Sequence, residues 1–64
     1  MPSLREDLQQ VRKELKEASW MRNWRAMYEG ILLDAISKCD NPENEEIVKK
    51  IIYNVRRAIS VTKP

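Results

Sequence analysis

The chain contains no histidine and no phenylalanine, and only one cysteine and one glycine among its 64 residues. Each shortage removes a class of chemistry. Without histidine there is no imidazole to activate a nucleophile, relay protons or share a zinc ion. The single thiol, Cys39, supplies neither an internal disulfide nor a metal cluster, and with no histidine to activate it an inert thiol is expected. One glycine excludes a Gly-rich phosphate loop, and the acidic residues do not follow EF-hand spacing. The carboxylate pairs Glu6/Asp7 and Glu45/Glu46 are adjacent in sequence, so they point to different sides of a helix and make poor acid–base partners. The expectation is a non-enzymatic protein with no cofactor and no metal.

Long apolar runs are also missing. The start, MPSLREDLQQ, has no apolar core of a secretory signal, and no stretch approaches the roughly 18 to 20 apolar residues of a membrane span. These features predict an intracellular, cytoplasmic chain with no membrane partner. The net charge is only +2, from 12 Lys and Arg against 10 Asp and Glu, so the overall balance marks no nucleic-acid or membrane binder. A chain of this length buries only about 60% of its unfolded surface. One domain, 1–64, is therefore expected, held by packing alone and helped by self-association.

What is present is helical patterning. Ser3 with Glu6 three residues on forms a capping box, which satisfies amide donors that a helix start leaves without partners. Leu4, Leu8, Val11, Leu15 and Ala18 follow at alternating spacings of four and three, a narrow apolar seam on a charged helix. The simple reading packs this seam on the rest of the domain; the alternative offers it to a partner.

The stripe then changes phase. Trp20, Met21, Trp24, Met27, Tyr28, Ile31, Leu32 and Ala35 point to nearly the opposite side from the first seam, so one straight helix cannot bury both in one core. A break near Ser19 follows, with Ser19 as a candidate cap for the second helix. An unbroken helix would instead demand an interlocked oligomer. Opposite the main stripe, Ala26, Gly30, Leu33 and Ser37 form a line on which another helix could approach closely, and this marks the second helix as central.

Asn41-Pro42 opens the third helix, with Asn as N-cap and Pro at the first helical position. Glu43, Glu45 and Glu46 suit the positive end of the helix dipole. Ile47, Val48, Ile51, Ile52, Val55, Ala58 and Ile59 form a broad apolar face whose pairing at four-residue intervals decides for helix over strand. Lys49, Lys50, Tyr53, Arg56 and Arg57 lie opposite, and no acidic residue follows Glu46.

The spacing thus predicts an all-α, three-helix bundle over 3–18, 20–38 and 42–61, with the apolar excess possibly covered by dimerisation. Two functions compete. Trp20, Arg22, Trp24 and Arg25 bring together the residue types enriched at interface hot spots, which favours a small regulator, adaptor or inhibitor that binds a protein partner or a second copy. Alternatively, Lys49, Lys50, Tyr53, Arg56 and Arg57 would contact nucleic-acid phosphates and stack on a base. Glutamates at the start of the third helix disfavour a groove-reading recognition helix, so such binding would be mainly to the backbone. The order of a polar, an aromatic and a basic helix is too common to single out a family.

Overall fold

Ser3 opens the first helix as its N-cap, the hydroxyl half of the expected capping box. In the computed structural model, which describes residues 3–64, the Ser3 hydroxyl accepts the Glu6 amide at 3.2 Å and helix α1 runs Leu4–Glu17. Its seam turns inward: Leu8, Val11, Leu15 and Ala18 are buried. Each leucine so removed from water contributes about 2–3 kcal/mol. The seam that might have served a partner is the core of this bundle.

The chain breaks where the two stripes fall out of phase. Ala18 leaves helical geometry at φ −84°, ψ 87°, and a single 3-10 turn, Ser19–Met21, follows. The bonds Met21 N–H to Ala18 C=O (2.9 Å) and Trp24 N–H to Met21 C=O (2.9 Å) continue this tight winding. Met21 is thereby buried without Gly or Pro at the break. Ser19 makes no capping bond, and helix α2 begins only at Arg25, running Arg25–Lys38. The expected start at residue 20 is therefore five residues early, because burial of Met21 holds the preceding segment in the narrower turn.

The third helix is displaced in the same manner. Asn41 is extended and Pro42 takes the first position, but the turn they open is 3-10, Pro42–Asn44, without a side-chain cap from Asn41. Helix α3 then runs Glu45–Thr62, and its last turn is closed by the Thr62 hydroxyl donating to the Ala58 carbonyl at 2.6 Å. Val48, Ile52 and Val55 reach the core. No strand occurs among the described residues.

The three α-helices form a triangular bundle in which each packs on the other two, so α2 is not the central member. It buries Leu32 and Ala35, with Tyr28, Ile36 and Cys39 partly covered. Its expected stripe is only half right: Trp24, Met27 and Ile31 are exposed. The line Ala26, Gly30, Leu33 and Ser37 faces outward as well, and nothing among the described residues lies within 4 Å of the place a Gly30 Cβ would take. The reason is geometric. Tyr28, Leu32, Ala35, Ile36 and Cys39 already fill the arc that meets α1 and α3, and α2 is apolar around most of its remaining circumference.

Candidate functional site

A triangular bundle has three sides, and ion pairs mark two of them. From α1, Arg5 donates to Asp40 in the turn after α2 at 2.6 Å, and Arg12 donates to Glu29 in the first half of α2 at 3.0 Å. The hydrogen bond that Arg5 donates to Asp40, and the charge of that carboxylate, raise the Arg5 pKa still further. Because this pair is open to solvent, it orients the α2–α3 turn more than it stabilises the fold. Between α1 and α3, Arg56 pairs with Glu14 at 3.6 Å. Across the α2/α3 side there is no ion pair among the described residues; the pairs Asp34–Lys38 and Glu45–Lys49 lie within single helices.

That third side is apolar instead. Helices α2 and α3 run antiparallel, so Trp24 and Tyr28 at the start of α2 meet Ala58 and Val61 near the end of α3. They line a cleft of about 190 Å³ floored by Met21. Trp24 is 51% exposed and Val61 69%. Met27 and Ile31 continue the Trp24 line down α2 at spacings of three and four, and both are exposed. On α3 the matching edge runs through Ala58 and Ile51 to Ile47, which is 57% exposed. Five of the seven large apolar residues exposed in the structure, Trp24, Met27, Ile31, Ile47 and Val61, therefore share one side. Leu33 and Tyr53 lie elsewhere.

The structure divides the four residues expected at a partner site. Trp20 lies on the α1/α3 side, where its indole N–H donates to the Ile59 carbonyl at 2.9 Å and the Lys63 ammonium stands 5.8 Å above its ring. It forms one wall of a wider cleft of about 460 Å³ with Glu14, Glu17, Arg56 and Lys63 at its edges. Trp24 belongs to the α2/α3 side. Arg25 turns towards the chain break, where its guanidinium makes a long contact, 3.5 Å, with the Ala18 carbonyl. Arg22 is exposed. The 3-10 winding separates the two indoles, because residues 20 and 24 no longer lie one helical turn apart.

The sequence pattern assigned Met27, Ile31 and Ile47 to the core and left Val61 out of any stripe. The signal available for them was the scarcity of charged residue types on α2 between Met27 and Leu33, where Glu29 is the only one. That helix has more apolar circumference than one small bundle covers.

On the basic face, Tyr53 is 62% exposed. Lys49 is engaged by Glu45 at 3.3 Å and Arg56 by Glu14, while Lys50 and Arg57 have no ion pair among the described residues. No group of three His, Cys, Asp or Glu side chains gathers to hold a metal ion among the described residues. No described helix is long and apolar enough to cross a membrane. Cys39 is half-buried, its thiol donating to the Ile36 carbonyl at 3.2 Å.

Comparison with protein-family models, with curated proteins and with solved structures found no match. The class that the fold defines is a small all-α three-helix bundle, and its function must be read from its own surface.

Proposed function

We propose that this chain is a non-enzymatic protein-interaction module whose working surface is the α2/α3 side of the bundle. The observation that carries the reading is the gathering of Trp24, Met27, Ile31, Ile47 and Val61 on the side that no ion pair crosses among the described residues. Scattered single apolar residues are ordinary on a protein surface, but a contiguous apolar side rimmed by polar groups is characteristic of a docking surface. Trp24 is its natural anchor, since tryptophan combines large apolar area with few rotors to order on binding. Trp20 serves the fold, its polar atom already committed to Ile59.

The test is a photo-crosslinking side chain placed at Met27 and, as a reference, at Lys13 on the solvent face of α1, in cells that make the protein. Adducts from position 27 with none from position 13 are expected. Equal adducts from both positions, or none from position 27, overturn the reading.

A second reading rests on Tyr53, which stands exposed among Lys49, Lys50, Arg56 and Arg57. Single-stranded nucleic acid would stack on the ring and pair its phosphates with Lys50 and Arg57. Two of the four cations are already neutralised by glutamates and Glu46 lies along the same face, which favours the protein-interaction reading. Anisotropy titration of labelled oligonucleotides at low and physiological salt separates the two, because phosphate binding weakens steeply with salt.

A further inference from the structure

We propose that the outer flank of α1 is a binding site for a small oxyanion, a phosphate or pyrophosphate group, held by Gln9, Arg12, Lys13 and Lys16. The site lies on another side of the molecule from the apolar α2/α3 surface and stands independently of what docks there.

Charge on α1 is sorted by face. At 3.6 residues per turn, Arg12, Arg5, Lys16, Gln9 and Lys13 fill one arc of about 100°. Glu6, Glu17, Glu14 and Asp7 fill the arc that turns to α3. Arg5 and Arg12 pair with acids outside α1, while Lys13 and Lys16 have no ion pair among the described residues. Glu17, four residues after Lys13, edges the α1/α3 cleft instead. Lys16 follows Lys13 by three residues and Arg12 by four, and like charges at these spacings are neighbours that destabilise a helix. A face that serves solubility alone mixes its signs and pairs them within the helix, as Asp34–Lys38 and Glu45–Lys49 do on α2 and α3. This arc concentrates one sign and leaves it uncompensated.

The guanidinium groups carry the same demand. Among the described residues, the buried side-chain polar atoms without a hydrogen-bond partner are Arg12 Nε and Arg25 Nε. Both belong to the α1/α2 side: Arg12 gives one nitrogen to Glu29, and Arg25 reaches from α2 to the Ala18 carbonyl at the end of α1. Buried polar groups are nearly always satisfied, so two exceptions on one side need a cause. Glu29 is the one acid paired with any of Arg12, Lys13, Lys16 and Arg25. An anion seated on the arc supplies the negative charge that Glu29 alone does not.

Shape sets the size of that anion. Gln9, Arg12, Lys13 and Lys16 line a cradle of about 230 Å³. Pockets for drug-sized molecules run to about 300–1,000 Å³, so this one suits a compact group. Its lining offers ammonium, guanidinium and amide N–H donors and no carboxylate. Such a set matches an oxyanion, and two unpaired lysines match one that carries two or more charges, as phosphate groups do at neutral pH.

The test is titration of the full chain with sodium pyrophosphate, orthophosphate or O-phosphoserine at fixed ionic strength, followed by amide-resolved NMR. Saturable shifts confined to residues 9–16 are expected, half complete at about 1 mM pyrophosphate. Lys13→Gln and Lys16→Gln, both at exposed positions, should keep the helical circular dichroism and each weaken pyrophosphate binding about tenfold. Lys50→Gln removes the same charge from α3 and should change it by less than about twofold. Saturation by the free anions assigns a free ligand, and saturation by O-phosphoserine alone assigns a phosphoryl group carried on a small molecule; either supports the site. Shifts that are absent, or that grow without saturating up to about 10 mM, overturn it. So does equal weakening by Lys50→Gln, which would mark a general ionic atmosphere. A small anion brings no protein to a crosslinker at position 13, so this outcome and that of the Met27 crosslinking are separate.

Discussion

Trp20 and Trp24 are four residues apart in the gap between two helices, and the bundle treats them in opposite ways. Trp20 closes the α1/α3 side: its N–H is satisfied by the Ile59 carbonyl and Lys63 lies over its ring. The neighbouring charges, Glu14 and Arg56, are paired with each other. Trp24 stands half-exposed on the α2/α3 side with no side-chain hydrogen bond and no ion pair across the groove among the described residues. One side has its polar groups satisfied within the chain; the other leaves apolar surface exposed. The lesson is that the same residue type, in one short segment, is tied into the fold on one side and left half-exposed on the other according to which neighbours its polar atom reaches.

The contrast can be broken most forcefully from the core. Leu8→Ala, in the α1 seam, should cost about 2–5 kcal/mol, which would leave so small a domain largely unfolded. Urea denaturation followed by circular dichroism reads this directly. A cost below about 1 kcal/mol would mean that the seam is not the foundation on which both sides rest.

Exchanging each indole sharpens the comparison itself. Trp20→Phe removes the bond to Ile59 and should cost roughly 1–2 kcal/mol, whereas Trp24→Phe should change single-chain stability by less than about 0.5 kcal/mol. Equal costs would erase the division. Acrylamide quenching at dilute protein gives a second measure: the variant retaining only Trp24 should be quenched more than the one retaining only Trp20.

A cap and a glycine give smaller effects. Ser3→Ala should cost about 1 kcal/mol through loss of the bond to Glu6 N–H, since the hydroxyl caps the start of α1. Gly30→Ala should stabilise by roughly 0.5–1 kcal/mol, because the residue is helical and a methyl group there meets open space. A thermal melt is sufficient for both. Destabilisation by Gly30→Ala would show that the outer line of α2 is in close contact with something.

Much of the fold was legible in the residues. The N-cap at Ser3, the four-and-three seam of α1 and the phase change near Ser19 each have a local cause, and each stands where the spacing put it. The long apolar face of α3 was legible too, apart from Ile47 at its edge. The exposed apolar α2/α3 side was not. Its residues look like core residues in sequence, and the pair singled out for binding, Trp20 and Trp24, turned out to lie on different sides.

Length, the absence of histidine, the capping signals and the segregated stripes of α1 and α3 determined by themselves that this is a small all-helical chain with breaks near residues 19 and 41, because these are properties of local backbone chemistry and of one helix's periodicity. Only the tertiary structure decided which arc of α2 is buried, where the 3-10 turns yield to α-helix, and which tryptophan is satisfied. A helix that is apolar around most of its circumference offers no periodicity to choose a face. That choice is made by the neighbours that can pack against it, and two neighbours leave one side open.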